Sequence, residues 1–276
     1  MERLRKIKRL AAGLILPRTD HIPDEHMGVV TAFPFSYSTG RTIAELCLQQ
    51  GYSGPDNRIL IVGSHGGRDY FWLTGFGFTV DMLDLGHHPW GACAYLGDAC
   101  RKETWEQIPV KYDMVVFCDV LEHLPRDFDA LCHARSILGE RGVVFVTVPY
   151  RHDEEETHVR SYTRKTMCRL VTGAGYVVER VHDRPGVFEA FQRTVNSLNY
   201  GLALLMPSTR LGATVLRRCL EAEYVLNHVS RSLFRMIGWS INKGIMLTAR
   251  VDPKHTSEEY VSANARKFVD APESLA

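Results

Sequence analysis

Five short apolar runs, each closing on a turn or an acidic residue, constrain this chain more than any other feature. RILIV (Arg58 to Val62) opens into Gly63-Ser64-His65-Gly66-Gly67. FTVDMLD ends at Asp84, CAYLGD at Asp98, DMVVFCD at Asp119, and GVVFVTVP at Pro149. Short, nearly unbroken apolar runs bounded by turn residues suit strands buried on both faces, which is the condition of a parallel sheet. Helical patterns fall between them, at about Thr39 to Gln50, Arg68 to Thr74 and Arg126 to Leu138, the last stopped by GERG. A further helix reads from Thr163 to Thr172, followed by a sixth strand, VVERV. Strands alternating with helices imply an α/β fold with right-handed crossovers. One link is too short for that rule. Only LGHHPWGA separates Asp84 from the third strand, whereas a parallel crossover takes about a dozen residues or more. Either that strand is short and at an edge, or its helix is lost.

The rest of the chain has a different character. Residues 17–38 carry Pro17, Pro23 and Pro34 and read as an irregular arm. Residues 185–242 read as a helical insertion of two long helices, Val187 to Met206 and Arg210 to Met236, broken at Pro207-Ser208. In the second helix Leu211, Val215, Ala222, Leu226, Val229 and Leu233 keep three-and-four spacing. GIMLTARV, Gly244 to Val251, reads as the last strand. The expected organisation is a basic helix and arm over 1–38, one α/β domain over 39–252 including the insertion, and a polar tail over 253–276.

Charge narrows the partners. The 33 basic and 32 acidic residues nearly cancel, which gives no reason to expect bulk nucleic-acid binding, usually the mark of a basic domain, and no nucleic-acid partner is expected. The seven cysteines are odd in number and form no C-x-x-C pair, which fits buried free thiols in a reducing cytoplasm. No apolar run is long enough to span a bilayer. The opening MERLRKIKRLAAGLILPR has a minimal apolar part, and Pro17, Arg18 and Asp20 make no small-residue cleavage site, so it does not read as a signal peptide. Leu4, Ile7, Ala11 and Leu14 share one helical face among five basic residues. Residues 1–16 could therefore make a peripheral contact with an anionic membrane, or pack their stripe on the domain.

In an open parallel sheet the ligand sits beyond the carboxyl ends of the strands. The glycines of the first end let backbone N–H groups approach a ligand closely. Asp84 follows Gly63 by 21 positions, near the spacing of about 20 at which an acidic residue meets a ribose hydroxyl pair. The dinucleotide pattern G-x-G-x-x-G is absent, because His65 and Arg68 stand where it needs glycine. Asp98 offers a carboxylate that could accept from an adenine amino group. Each acidic residue alone reads equally as a helix cap or a solvated loop; their order along the chain carries the argument.

The segments ILIVGSHGG, FTVDMLDLG, YLGDA, YDMVVFCDVLEHLP and GERGVVFVTVPY together resemble the class I S-adenosylmethionine-dependent methyltransferases. The likeness is to the small-molecule group whose fourth strand runs into an LEH segment, and THVRSYTRKTMCRLVTGAGYVVERV is similar to that group's next segment. The resemblance implies a Rossmann-like, seven-stranded, mostly parallel sheet with helices on both faces and the last strand antiparallel. It implies S-adenosylmethionine as cofactor. Gly63, Ser64, His65 and Gly67 would form the loop under its methionine part, Asp84 would hold the ribose, and Asp98 with Ala99 would meet the adenine. Cys118 and Asp119 would border the methionine and the acceptor. Two positions depart from the family pattern: Ile61 stands where an acid is usual, and His65 replaces the middle glycine of the loop.

The function these residues imply is methyl transfer, with O-methylation of a small molecule or a cell-envelope glycan or lipid-linked acceptor expected. A hydroxyl acceptor benefits from a base, and His123 and His158, with a reference pKa of about 6.5, are the candidate catalytic residues. Each has a plainer reading: His123 as a loop-orienting residue, His158 as a surface residue near four acids. Asp119, Glu122, His123 and His158 also resemble the oxygen-and-imidazole ligand set that some relatives use to hold a catalytic metal, a donor mixture that would suit Mn, Fe or Zn better than Mg. The LEH segment is common in metal-free relatives, so no metal is expected from sequence. The departures at Ile61 and His65 support the alternative of a catalytically silent, methyltransferase-like binding domain. A NAD-dependent oxidoreductase is disfavoured by the missing glycine pattern. The helical insertion is expected to supply an acceptor lid, a homodimer surface or both.

Overall fold

The computed structural model describes residues 18–32, 43–44, 46–47, 52, 54–63, 67–87, 94–149, 156–185, 195, 197–199, 201–206, 209–237 and 242–254. Residues 1–16 and the tail after 254, on which a membrane contact and a polar terminus are expected, lie outside them. So do Ser64 and His65.

Each apolar run forms a strand. They are β1 (Arg58–Val62), β2 (Thr79–Asp84), β3 (Tyr95–Leu96), β4 (Tyr112–Cys118), β5 (Leu138–Pro149), β6 (Tyr176–Pro185) and β7 (Asn242–Val251). They make one sheet in the order β3-β2-β1-β4-β5-β7-β6. The first five strands pair in parallel, and β7 enters antiparallel between β5 and β6. The short connection after Asp84 has the consequence its length demands: β3 is two residues long and sits at the edge of the sheet.

Side chains alternate across the pleat, so each central strand feeds two cores. Leu60, Val62, Val115, Phe117, Val144 and Val146 face one side. There they meet Trp105 of α3 (Lys102–Glu106), Leu131 and Ala134 of α4 (Asp127–Ile137), and Met167 and Val171 of α5 (Arg164–Gly173). Ile59, Ile61, Met114, Val116, Val143 and Phe145 face the other. They pack against Ile43 and Cys47, against Phe71 and Leu73 of α2 (Arg68–Gly75), and against α1 (Met27–Ala32) and α6 (Arg210–Ile237). Ile61, at the position where the resembled family has an acid, is thus a core residue only 1% exposed.

Two expectations need correction. Residues 24–32 are not irregular: a 3-10 turn (Asp24–His26) leads into α1. This segment is held on α6 by the Arg217 guanidinium, which donates to Thr19 O (3.2 Å) and Ile22 O (2.5 Å) and pairs with Asp24 at 2.7 Å. The apolar stripe on α6 is also displaced. Leu211 and Leu226 are 76% and 47% exposed, whereas Leu216 and Leu220 are 3% and 1% exposed. The buried face runs Ala213, Leu216, Leu220, Glu223, itself a three-and-four spacing. Glu223 is tolerated there because Asn199 Nδ2 donates to its carboxylate at 2.6 Å. Leu211 and Leu226, from the stripe visible in sequence, lie on the exposed side of the same amphipathic helix, and a helix with leucines on both sides has two candidate faces until a sheet selects one.

Leu216→Ala is expected to cost about 2–4 kcal/mol in urea unfolding, and Leu211→Ala no more than about 0.5 kcal/mol. The reverse ranking would place α6 the other way round.

Candidate functional site

Because β1 to β5 are parallel, their carboxyl ends emerge at one edge of the sheet. The chain order reverses between β1 and β4: from β1 it steps outward to β2 and β3, and from β4 the other way to β5. That switch point is where an open α/β sheet leaves a crevice for a ligand. The predicted residues lie on both sides of it, at the ends of β1, β2, β3 and β4.

Lateral hydrogen bonds continue past the last ladder residues and hold these ends together. Gly63 N donates to Leu83 O at 2.9 Å, Gly97 N to Asp84 O at 2.9 Å, and Asp119 N to Thr147 O at 2.9 Å. The end of β1 is therefore tied to β2, β2 to the turn after β3, and β4 to β5. The tips thus form two stitched groups, β1–β2–β3 and β4–β5, one on each side of the switch point.

Two glycines shape the first end. Gly63 has φ +66 and Gly67 φ +68, in the left-handed region where a side chain is strained. A Cβ on Gly63 would also come within 2.6 Å of a Val120 methyl. So the β1 turn lies directly against the residue after Asp119. Gly67 then serves as N-cap of α2, aiming the first N–H groups of that helix back toward the turn.

The acidic residues are placed as follows. Asp84 is half-buried, and its Oδ1 accepts from Leu85 N at 2.7 Å. Asp98 Oδ1 accepts from Cys100 N at 2.8 Å, so it closes its own turn, as the plainer reading anticipates. Ala99 is buried, and its carbonyl accepts from Trp105 Nε1 at 2.8 Å. Asp119 is the one non-glycine residue with positive φ among the described residues, at +51. Its Oδ1 accepts from Thr147 Oγ1 at 3.1 Å. Aspartate tolerates this conformation better than most residues, and such outliers persist where surrounding structure over-determines them. Cys118 is half-buried at the end of β4.

Beyond Asp119 the LEH residues form a single 3-10 turn, Leu121–His123. The segment before α5 folds back onto it. Val159 N donates to Glu122 O at 2.8 Å. Tyr162 OH donates to Asp127 Oδ2 at 2.6 Å and lies 3.0 Å from Leu121 O. Arg160 pairs with Asp127 at 2.5 Å and donates to Pro125 O at 2.6 Å. Burial and the neighbouring Asp127 carboxylate push the Tyr162 hydroxyl pKa well up, so it remains a donor. This bracing brings together His123 and His158, 35 positions apart in sequence, with ring centroids 4.6 Å apart at 66°. His123 Nδ1 lies 3.3 Å from Thr157 O. Glu122 is buried at 1% exposure. Sequence reasoning named both histidines as candidate bases and, with Asp119 and Glu122, as one candidate ligand set; the structure places the two rings in contact beside Glu122 and leaves Asp119 out of the cluster.

A cavity of about 10 Å³, room for one water, lies under the N-terminal segment, lined by residues including Thr19, Val30, Phe71 and Leu220. It includes none of the strand-end residues. No helix among the described residues is long and apolar enough to cross a membrane.

No protein-family model matches the chain, and no curated protein matches it. Solved structures do. One, provisionally assigned as a sarcosine dimethylglycine methyltransferase from Galdieria sulphuraria, is 15% identical. The match covers 79% of this chain and 85% of that one, with a TM-score of 0.51. A phosphoethanolamine N-methyltransferase 2 from Haemonchus contortus, solved with S-adenosyl-L-methionine, is 16% identical over 78% of this chain and 52% of that one, at a TM-score of 0.48. A 1,6-didemethyltoxoflavin-N1-methyltransferase from Burkholderia thailandensis, with its substrate and S-adenosylhomocysteine, is 14% identical over 80% and 78%, at 0.46. The first likeness establishes a shared fold, the Rossmann-like methyltransferase sheet.

Gly63→Ala is expected to cost about 2–4 kcal/mol, combining left-handed backbone strain with the Val120 clash. Adding Val120→Ala should recover the clash and leave about 1–2 kcal/mol. Urea unfolding of the single and double variants measures both parts; a Gly63→Ala protein as stable as the parent would show that the β1 turn does not abut Val120.

Proposed function

We propose that this protein is an S-adenosylmethionine-dependent methyltransferase whose cofactor lies across the rim formed by Gly63, Asp84, Asp98 and Asp119. The observation that carries the reading is the stitching of these strand ends on either side of the switch point, in a sheet with methyltransferase topology. The turn from Gly63 to Gly67 lies under the methionine part, Ser64 and His65 included. Asp84 takes the ribose hydroxyls, Asp98 and Ala99 border the adenine, and Cys118 and Asp119 separate the methionine from the acceptor.

The reaction asks little covalent chemistry of the protein. S-adenosylmethionine held there would supply a methyl group activated by its sulfonium charge, passed to an acceptor oxygen to leave S-adenosylhomocysteine. The hydroxyl proton must leave the acceptor. The protein's part is alignment and exclusion of water, together with activation of the hydroxyl by His123 or His158, which stand one turn past the β4 tip. The acceptor is a small molecule, with a cell-envelope glycan or lipid-linked hydroxyl as the finer proposal. The described residues 201–206 and α6 pack beside the sheet and are its candidate lid. A cytoplasmic location, a peripheral membrane contact through residues 1–16 and a homodimer belong to the same proposal.

Titration calorimetry with S-adenosylmethionine tests the reading. Asp84→Ala should weaken binding about 10- to 100-fold, the loss of charge-assisted hydrogen bonds. His158→Ala should change it less than about threefold, since it stands on the acceptor side. No binding to the unaltered protein at millimolar ligand would favour the silent binding domain, and equal small effects of both substitutions would displace the cofactor from this rim.

A further inference from the structure

Glu122, His123 and His158 do more than supply a base. One carboxylate oxygen and one nitrogen from each ring lie within 4.8 Å of one another. From this geometry we infer that the three side chains form a binding site for a first-row divalent metal ion, with the remaining coordination positions open to an oxygen of the methyl acceptor.

Four features support it. The donor set is two imidazoles and a carboxylate, the mixture that suits Zn²⁺, Mn²⁺ and Fe²⁺ and leaves positions open when only three protein ligands are present. The spacing is close: at metal–ligand bonds of about 2.0–2.2 Å, donors around one ion stand roughly 3–4 Å apart, so side-chain rotation of about an ångström completes the shell. The donors are pre-placed, because the two segments that carry them are fastened by the Val159–Glu122, Tyr162–Leu121, Tyr162–Asp127 and Arg160–Asp127 contacts. Finally, His123 Nδ1 lies beside the Thr157 carbonyl. A ring N–H given to a backbone carbonyl fixes the tautomer and presents the other nitrogen to an ion, as is usual for metal-bound histidine.

Burial agrees with a working site. Glu122 Oε2 and His158 Nδ1 are shielded from solvent, while His123 and His158 as whole residues are only half-buried. The inner wall is dry and the outer side is accessible. The two imidazole centroids stand 4.6 Å apart, close enough for both rings to reach one ion. An acceptor hydroxyl bound to the ion loses its proton to solvent more easily, so activation would pass through the ion rather than through a lone histidine. The inference rests on the methyl-transfer reading for the use of the site, but not for its existence.

The test uses the full chain stripped with chelator and then dialysed. Mn²⁺ is titrated in and the free ion is followed by electron paramagnetic resonance, with Zn²⁺ as competitor. The expected result is roughly one Mn²⁺ per chain, displaced by Zn²⁺. His158→Ala and His123→Ala should each weaken binding at least about tenfold, while His87→Ala, at an exposed position outside the cluster, leaves it unchanged. Glu122→Gln should do as the histidine variants do; because Glu122 is buried and its replacement risks unfolding, the two histidine variants, checked by circular dichroism, decide the matter. No Mn²⁺ binding, or equal binding by the parent and His158→Ala, overturns the site. S-adenosylmethionine is titrated into the same preparations. Cofactor binding without ion binding removes the metal site alone, whereas ion binding without cofactor binding removes the methyltransferase reading and leaves the site.

Discussion

The rim of lateral hydrogen bonds past the strand ends is the constraint on which the rest of this molecule depends. A parallel ladder fixes its strands only as far as the last paired residues. Here the pairing is carried one step further by Gly63 to Leu83, Gly97 to Asp84 and Asp119 to Thr147. Backbone polar groups buried at a strand end must find partners, and by finding them in the neighbouring strand they lock the turns in register. A ligand crossing the switch point then meets positions whose spacing is set by the sheet, about 4.8 Å per strand, and not by loop flexibility.

The two cores support that rim in different ways. On the α3–α4–α5 side the packing is continuous from Trp105 through Tyr176, and buried tyrosines spend their hydroxyls on backbone carbonyls, as Tyr176 does on Leu131 O at 2.8 Å. On the other side α1 and α6 are gathered by polar contacts: Arg217 to the 19–24 segment and Asn199 to Glu223. Such buried polar contacts are costly to leave half-made, so they specify how this layer docks. The candidate site stands on the first side, and its bracing residues Asp127, Arg160 and Tyr162 extend that core upward to the LEH turn.

Much of this was legible in the chain. The strands and their parallel pairing follow from run length and connection length, which also left an edge place for the third strand as one of two outcomes, because hydrophobic period and crossover geometry are local and topological matters. The residues on the rim were legible too, since each stands within two positions of the end of an apolar run. The face α6 buries and the helical path of residues 24–32 were not. Leucines occur on both sides of α6, and α1 is short enough that its helicity depends on what it packs against.

The sequence by itself determined that this chain would build a doubly covered, mostly parallel sheet and present Gly63, Asp84, Asp98 and Asp119 at one edge. Apolar period and turn chemistry encode those properties within a few residues of where they act. Only the tertiary structure decided that His123 and His158 meet beside Glu122, and that Leu216 rather than Leu211 enters the core. Both outcomes depend on contacts between segments far apart in the chain. No local pattern specifies them, because the free energy that selects them appears only when the second segment arrives.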